Sequence, residues 1–475
     1  VASLPGPRGG DFSHDAYRFV EFAAACGFSV WQVLPLGPTD ATGSPYLSAS
    51  AHAGNPHFVS LDWLVDRGWL DRAEVDAPTA SDWTGRRRAL LELAFTGFQR
   101  DASAAWRSKH ERFLRMQAHW LDDFALFAAI ADEEEGRSWL EWPAPLRDRT
   151  ADGLERARAT HAASIAQTGF EQWLFFTQWS ELRTYAHRHG LYLFGDLPIF
   201  VGHQSADVWA HRDLFQLDAH GEPLKVAGVP PDYFAVDGQR WGNPLYDWSR
   251  HRASGFAWWI ARLRTQMALF DLVRIDHFRG LSACWEIPVS AASARDGAWA
   301  PAPGAELLEA ARNALGRLPL VAEDLGVITP AVDALRERFG LPGMRVLQFG
   351  FDGSPHNVHL PQNFEPLTVA YSGTHDNPPT REWLEQLDAH TRGLVATLFG
   401  RVEEPPPWPV LHATLSSVAR LAIVPMQDLL ALGAGHRMNT PGTSEGNWRW
   451  RFGWDQVPAD LARHVRDLNW RYGRS

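Results

Sequence analysis

Three acidic side chains end or directly follow short apolar runs of the sequence, at points where a β-strand would end. They are Asp276, Glu323 and Asp376. In a β/α barrel the catalytic groups lie at the C-terminal ends of the strands, so polar residues in this position are the first candidates for chemistry. Asp196, which closes an earlier run, belongs to the same class.

Arg274 and Asp276 are two residues apart on a predicted strand, so both side chains lie on the same face. A guanidinium beside a carboxylate favours its ionised form, which a nucleophile must keep in a partly dehydrated site. A structural ion pair at a barrel rim fits the same two residues equally well.

Glu323 ends an apolar run that contains Leu320 and Val321. Its carboxyl group should be less solvated than a surface acid and its pKa raised, as a general acid near neutrality requires. The alternative is that Glu323 and Asp324 cap the N-terminus of a helix.

The His-Asp-Asn segment at 375–377 follows the run at 367–374. Its alternatives are a metal site or an N-cap for a helix near Arg381. Zinc sites need further ligands with suitable spacing, and the His-x-His pair at His187 and His189 ends a helix before a strand. A metal hydrolase is therefore disfavoured.

Taken together, the three acids are more specific than any one of them. Glycosyl transfer with retention needs a nucleophile and an acid/base whose carboxyl groups lie about 5 to 5.5 Å apart, which adjacent barrel strands can supply. Asp376, on the loop after a later strand, would complete the enclosure of the reacting sugar.

The elements that position these acids are short apolar runs that alternate with helical patterns. Eight runs are predicted as strands: 28–34, 56–61, 191–198, 271–276, 318–323, 344–349, 367–374 and 420–426. Eight strands with interleaved helices predict an α/β protein, a (β/α)8 TIM barrel with helical and loop insertions. A doubly wound open sheet is the rival, but no Gly-rich phosphate loop follows the first run.

The barrel should be interrupted twice. We expect the catalytic barrel in residues 1–61 and 191–475, with a mainly helical insertion at 62–190. Residues 201–256, rich in Gly, Pro and aromatics, are predicted to be an active-site loop insertion, because a loop that long is usually functional. A short run at 283–289 predicts a third, smaller excursion.

Composition narrows the class of partner. The 475 residues are 45% hydrophobic and 21% charged, with a net charge of −11, so nucleic acid and anionic membranes are unlikely partners and a neutral substrate fits best.

Cys26 and Cys284 are too few for a disulfide framework, and apolar runs are too short to span a bilayer. With no basic and apolar leader, the cytoplasm is the expected location. The 23 Trp residues offer flat surfaces that suit sugar rings.

Longer blocks of sequence resemble the amylomaltase family of 4-α-glucanotransferases, or disproportionating enzymes, in the α-amylase clan, over nearly the whole chain. The blocks are Ser3-Leu-Pro-Gly6, Trp31-Gln-Val-Leu-Pro-Leu-Gly-Pro38, Ser44-Pro-Tyr46, Ala53-Gly-Asn-Pro56, Gly195-Asp-Leu-Pro-Ile-Phe200, Gly228-Val-Pro-Pro-Asp-Tyr-Phe234, Gln239-Arg-Trp-Gly-Asn-Pro244, Val273-Arg-Ile-Asp-His-Phe-Arg-Gly280, Ala322-Glu-Asp-Leu-Gly326, Gly373-Thr-His-Asp-Asn377 and Gly446-Asn-Trp-Arg-Trp450.

The resemblance implies retention through a covalent glycosyl-enzyme intermediate, transfer between maltooligosaccharides or other α-glucans, and no metal or organic cofactor. It implies that Asp276 is the nucleophile, Glu323 the acid/base and Asp376 a transition-state-stabilising carboxylate. The same resemblance implies substrate contacts for Arg274, His375, Asp196, Tyr46, Trp241, Tyr233, Phe234 and Asn439. Among these, Tyr233, Phe234 and Trp241 correspond to a mobile aromatic loop on the acceptor side.

The chain departs from the family pattern at three places. Leu47-Ser48-Ala49 stands where Gln-Ser-Phe is usual, His52 where an aromatic is common, and Pro379 where Thr is usual. The first two bear on contacts near Tyr46, and the third on the start of the following helix. None of them changes the three acids.

Two other functions are compatible with parts of this pattern. An α-1,4-glucan hydrolase of the same clan would use the same acids, but the Asp-x-x-x-Asn-His pattern usual in amylases is absent after Asp196. A glucan-binding protein without catalysis would be marked by a lost carboxylate, and all three acids are present.

Overall fold

The structure is a computed structural model that describes residues 1–6, 9–40, 42–77, 83–231, 236–400, 404–443 and 445–474. Its strands are β1 (Val30–Gln32), β2 (Tyr192–Leu197), β3 (Lys225–Val229), β4 (Gln239–Pro244), β5 (Leu272–Ile275), β6 (Ala283–Pro288), β7 (Ala298–Pro301), β8 (Leu320–Ala322), β9 (Gly343–Val346), β10 (Thr368–Tyr371) and β11 (Leu421–Ile423).

Helices alternate with these strands or fill the insertions. They are α1 (His14–Ala25), α2 (Leu61–Val65), α3 (Arg72–Asp76), α4 (Trp83–Asp101), α5 (Ala104–Glu133), α6 (Ala144–Arg147), α7 (Ala151–Thr160), α8 (Ala162–Arg188), α9 (Ala206–Ala210), α10 (Trp248–Ala253), α11 (Ala257–Leu269), α12 (Gly304–Leu315), α13 (Pro330–Arg338), α14 (Thr380–Gln386), α15 (Ala389–Phe399), α16 (Trp408–Ser416), α17 (Met426–Leu429) and α18 (Leu461–Arg471).

The parallel strands form two sheets, which together make up the wall of strands around the core. One has the order β1-β2-β5-β8 and the other β9-β10-β11. The Ala322 N–H donates to the Pro342 carbonyl at 2.8 Å, which links the end of β8 to the start of β9. Strands that follow one another along this wall are therefore spatial neighbours, as in a β/α barrel, whereas a doubly wound sheet reverses its strand order.

Seven of the eight predicted runs contain or overlap one of these parallel strands in the described part of the chain. The strand predicted at 56–61 is wrong: Pro56–Phe58 is a short 3-10 helix, and α2 starts at Leu61. Asn55 caps the 3-10 helix by accepting the His57 N–H at 2.9 Å, and Ser60 caps α2. These local side-chain caps satisfy the backbone donors that a strand would have paired with a neighbour.

The segment between β1 and β2 is helical in its described residues. The long helices α5 and α8 pack against each other, and α8 also packs against β2. Aromatic side chains such as Trp69, Phe98 and Trp173 contact one another in this region. Many of the tryptophans are thus core residues, and Trp179 and Trp259 are almost fully buried. No helix in the described ranges has both the length and the apolar character that a membrane crossing requires.

The Gly- and Pro-rich segment 201–256 contains more regular structure than a loop. Its strands β3 and β4 form a second, antiparallel sheet with β6 and β7, in the order β4-β3-β6-β7. The run predicted at 283–289 is β6, the partner of β3. This small sheet follows the C-terminal ends of β2 and β5, so it lies at the end of the barrel where the candidate acids are.

Close packing at Gly195, next to Asp196 on β2, predicts a sharp stability cost for a single methyl group. A Cβ built at Gly195 would lie 2.2 Å from the Phe270 ring, whereas a Cβ at Gly393 in α15 would meet nothing within 4 Å. We expect Gly195→Ala to lower the free energy of unfolding by about 1–3 kcal/mol or more through overpacking. Gly393→Ala should leave it unchanged or raise it by up to about 1 kcal/mol. Urea denaturation of both variants checks this, and equal midpoints would contradict the packing at Gly195.

Candidate active site

The pairing of β5 with β8 brings the first two candidate acids together. Ile275 and Ala322 are partners in the parallel register, and Asp276 and Glu323 are the next residues of their strands. The Glu323 N–H donates to the Ile275 carbonyl at 3.0 Å, which continues the ladder by one residue. Both side chains therefore leave the same rim of the barrel from adjacent positions.

Arg274 is bonded to two carboxylates at once. One guanidinium nitrogen, Nη1, lies 2.8 and 2.7 Å from the two oxygens of Asp196, and the other, Nη2, lies 2.7 Å from Oδ1 of Asp276. Arg274 and Asp196 are 5% and 2% exposed, so this is a buried network. Burial raises the pKa of Asp276, and the neighbouring Arg274 opposes that rise.

The Arg274 guanidinium pairs with Asp276, as the ion-pair interpretation expected, whereas its effect on a nucleophile stays a prediction. It is a buried ion pair with Asp196, and it also holds an oxygen of Asp276 in a fixed position. Removing the partner of a buried charge is costly, and both carboxylates share the one guanidinium, so the three side chains act as one unit.

Glu323 is held by main-chain donors. Its Oε2 accepts the His277 N–H at 2.7 Å, and its Oε1 accepts the Leu325 N–H at 3.1 Å. His277 has φ 52°, a left-handed conformation that few residues other than glycine adopt. Burial raises the pKa of Glu323 to about 8, and the nearby Asp276 adds to the rise while Arg274 reduces it. The helix-cap alternative is wrong, because α13 starts at Pro330.

Tyr46 connects the two sides of the site. Its hydroxyl donates to Oδ2 of Asp196 at 2.7 Å and lies 3.0 Å from Nε2 of His375, whose ring is stacked on the tyrosine ring. The same His375 nitrogen lies 3.4 Å from Oδ2 of Asp376. Burial raises the pKa of Tyr46 well above its usual range, and the charge of Asp196 adds to this, so the hydroxyl remains a donor.

Asp376 is oriented by residues from a later loop. Asn439 donates its side-chain amide to Oδ1 at 2.6 Å, and Arg437 donates to the Asp376 carbonyl at 2.9 Å. The N-cap alternative is wrong, because α14 starts at Thr380 after Pro379, with no side-chain cap bond. Across the described chain, no group of three or more His, Cys, Asp or Glu side chains is arranged to hold a metal ion.

The aromatic loop is described in part. Trp241, on β4, meets the His277 ring edge-on with ring centres 4.8 Å apart, so it stands beside the acids. Tyr233 and Phe234 lie outside the described residues.

Three residues near the acids were not singled out from the sequence. The backbone of His277 bonds Glu323, Arg437 bonds the main chain of Asp376, and Trp448 packs on the rings of Tyr46 and His375. Each of the first two bonds involves a main-chain group, the N–H of His277 and the carbonyl of Asp376, which no residue pattern reveals. Trp448 lay within a motif already noted, and it lines a cavity of about 310 Å³ together with Arg274 and His375.

Comparison with known proteins gives one consistent family. The sequence profile described as 4-alpha-glucanotransferase matches residues 1–455. A 4-alpha-glucanotransferase from Thermus thermophilus is 46% identical over 473 residues, covering 97% of this chain and 94% of the relative. A 4-alpha-glucanotransferase from Synechocystis is 43% identical over 487 residues, covering 99% and 96%.

A solved structure agrees over the full length. Amylomaltase from Streptococcus agalactiae, in complex with acarbose, matches with a TM-score of 0.96 and 36% sequence identity, covering 100% of this chain and 98% of that one. The expected fold class, a (β/α)8 barrel, is confirmed by this likeness together with the strand order.

The geometry around Arg274 predicts a large stability loss when the guanidinium is removed. Arg274→Ala leaves Asp196 buried without its partner, and breaking such a pair costs about 3–5 kcal/mol. Arg338→Ala is the matched control, because its ion pair with Glu309 is long, at 3.8 Å, and exposed. That variant should change the free energy of unfolding by less than about 0.5 kcal/mol. Chemical denaturation at pH 7 measures both, and similar values for the two variants would contradict the network.

Proposed function

This chain belongs to the 4-alpha-glucanotransferase family, and we propose that Asp276, Glu323 and Asp376 carry out its reaction by double displacement with retention. The observation that carries the proposal is the pair of acids one residue beyond the Ile275–Ala322 pairing. Arg274 favours the ionised form of one acid, and burial favours the protonated form of the other.

In the first step, the Asp276 carboxylate attacks the anomeric carbon of a glucosyl unit in the donor chain. Glu323 gives its proton to the glycosidic oxygen, the bond from that oxygen to the anomeric carbon breaks, and the reducing-end fragment leaves. The product is a glycosyl ester of Asp276 with inverted configuration. The proton that Glu323 holds near neutrality is the one this step needs.

In the second step, Glu323, now ionised, takes the proton from the 4-hydroxyl of an acceptor glucan. The acceptor oxygen attacks the same anomeric carbon and displaces Asp276, which restores the configuration and both carboxyl groups. Transfer wins over hydrolysis when the acceptor is positioned and water is kept out. Trp241, beside His277, would supply part of that surface.

The remaining side chains would hold the glucosyl unit that is transferred. Asp376 and His375 offer a carboxylate and an imidazole to adjacent sugar hydroxyls, and Asn439 fixes the carboxylate. Asp196 supports Arg274, and Tyr46 lies between Asp196 and His375. Interactions with hydroxyls that strengthen as positive charge develops on the ring lower the barrier to each step.

We propose maltooligosaccharides or longer α-1,4-glucans as both donor and acceptor. A neutral polymer suits a chain with a net charge of −11, which disfavours polyanions. The catalytic unit would be the barrel of residues 1–61 and 191–475, with 62–190 as a helical subdomain and 201–256 as an active-site insertion. A cytoplasmic location stays a prediction, consistent with Cys26 and Cys284 being free thiols in the core.

Incubation with maltotriose tests the proposed reaction. Transfer predicts glucose together with a ladder of longer oligomers, whereas glucose and maltose alone would indicate a hydrolase. Asp276→Asn should lower kcat by several orders of magnitude, because it removes the covalent nucleophile. Product analysis by chromatography, with circular dichroism to verify the fold, measures both. A variant that still turns over at the wild-type rate would remove Asp276 from the mechanism.

The protonation state of Glu323 predicts the alkaline side of the pH profile. The first step needs the protonated acid, and the pKa of Glu323 is raised to about 8, so kcat/KM should fall about tenfold per pH unit above that value. Initial rates with maltotriose between pH 6 and 9.5 measure the fall, and melting curves over the same range distinguish titration from unfolding. A profile that stays flat to pH 9.5 would contradict the assignment of the proton to Glu323.

A further inference from the structure

A second buried carboxylate lies behind the loop that carries His375 and Asp376. Asp428, in α17 after β11, is 1% exposed. Its hydrogen bonds come from neutral groups: the hydroxyl of Ser372, and the hydroxyl and backbone N–H of Thr380. It lines the same cavity as Arg274 and His375, and its hydrogen bonds go to Ser372 and Thr380 and not to the three candidate acids.

The two partners of Asp428 bracket the candidate catalytic loop. Ser372 follows β10 at the start of the loop, and its hydroxyl lies 2.7 Å from Oδ2 of Asp428. Thr380 begins α14 at the end of the loop, with its N–H 2.7 Å from Oδ1 and its hydroxyl 2.6 Å from Oδ2. One carboxylate therefore fixes both ends of a loop of seven residues.

Other bonds extend this hold into the loop. Thr374 donates its N–H and its hydroxyl to the side chain of Asn377, at 2.9 and 2.8 Å. Gln348 donates to the Pro378 carbonyl at 3.1 Å. Asp428 fixes the two ends of the loop and Asn439 bonds the Asp376 side chain, so Asp376 has little freedom to move.

Burying a carboxylate at this position costs more free energy than burying an apolar side chain of similar size, so packing alone does not explain Asp428. Burial raises the pKa of Asp428, and the bonds from Thr380 and Ser372 oppose that rise. An apolar side chain could fill the volume, but the Thr380 N–H would then be buried without an acceptor. A group that accepts from both ends of a loop serves the geometry of that loop.

We propose that Asp428 is a positioning residue for the transfer reaction, which acts by holding the 372–380 loop so that Asp376 meets the glucosyl unit. The proposal rests on the role proposed for Asp376. If Asp428 acts in this way, its substitution should lower kcat only while Asp376 is present.

A double-mutant cycle with maltotriose as substrate tests this. Asp428→Ala should lower kcat about 100-fold with less than about fivefold change in KM, since small misplacements of catalytic groups have effects of this size. In the Asp376→Asn background, the same change should lower the residual rate by less than about threefold, because the group it positions is already gone. Long incubations with quantitative chromatography measure the slow variants.

Two variants separate positioning from loss of stability. Asp428→Asn keeps an oxygen for the Thr380 N–H and an amide that can donate to the hydroxyls, so kcat should stay within about threefold of wild type. Asp271→Asn is a stability control: this carboxylate, just before β5, accepts the Leu193 N–H at 2.8 Å and pairs with Arg183 and His187, far from the rim that carries Asp276. It should lower the melting temperature and leave kcat unchanged.

The outcomes are distinguishable. An equal loss of kcat from Asp428→Ala in both backgrounds, or wild-type kcat in the single variant, overturns the positioning role. Wild-type kcat in Asp376→Asn alone overturns the proposed function of that acid instead.

Discussion

A buried guanidinium that is shared between two carboxylates sets the geometry of the whole site. Arg274 can bond Asp196 and Asp276 together only because β2 and β5 are neighbours in parallel register, with Asp196 paired to Arg274 itself. Burying the Arg274 guanidinium is costly unless its carboxylate partners are present. The strand register that places them and the ion network therefore stabilise each other. Tyr46 then joins Asp196 to His375, which extends the same network across the mouth of the barrel.

The same register gives the two proposed reacting acids different hydrogen-bonding and charged partners. Asp276 lies against a cation, whereas Glu323 one strand away has main-chain donors and little solvent. Carboxyl groups with different surroundings can take different roles, and those we propose are the nucleophile for Asp276 and the acid and then the base for Glu323. His277 links the two acids, because it follows Asp276 in the sequence and donates its N–H to Glu323.

Much of this arrangement could be predicted from the sequence, because barrel strands are short, apolar and end in polar residues. Asp276, Glu323 and Asp376 end or follow such runs, and the likeness to a solved amylomaltase confirms the fold class that those runs predicted. The run at 56–61 failed because its apolar residues belong to a 3-10 helix and a helix start, which local caps such as the Asn55 side chain decide. The strands at 225–229 and 239–244 were missed because short antiparallel strands rich in Gly and Pro resemble loops. The hydrogen bond from Ser372 to Asp428 joins residues 56 positions apart, and local sequence patterns do not predict such long-range contacts.

We propose that Asp276, and no other acid of the site, forms a covalent bond to the transferred glucan. The direct measurement uses Glu323→Gln with maltotriosyl fluoride, a donor whose leaving group needs no proton, followed by protease digestion and mass spectrometry. Without the base that activates the acceptor, the glycosyl ester should accumulate, and the added maltotriosyl mass should lie on the peptide that contains Asp276. An adduct on Glu323's neighbour Asp324 or on Asp376, or complete fluoride release with no adduct on any peptide, would contradict the account.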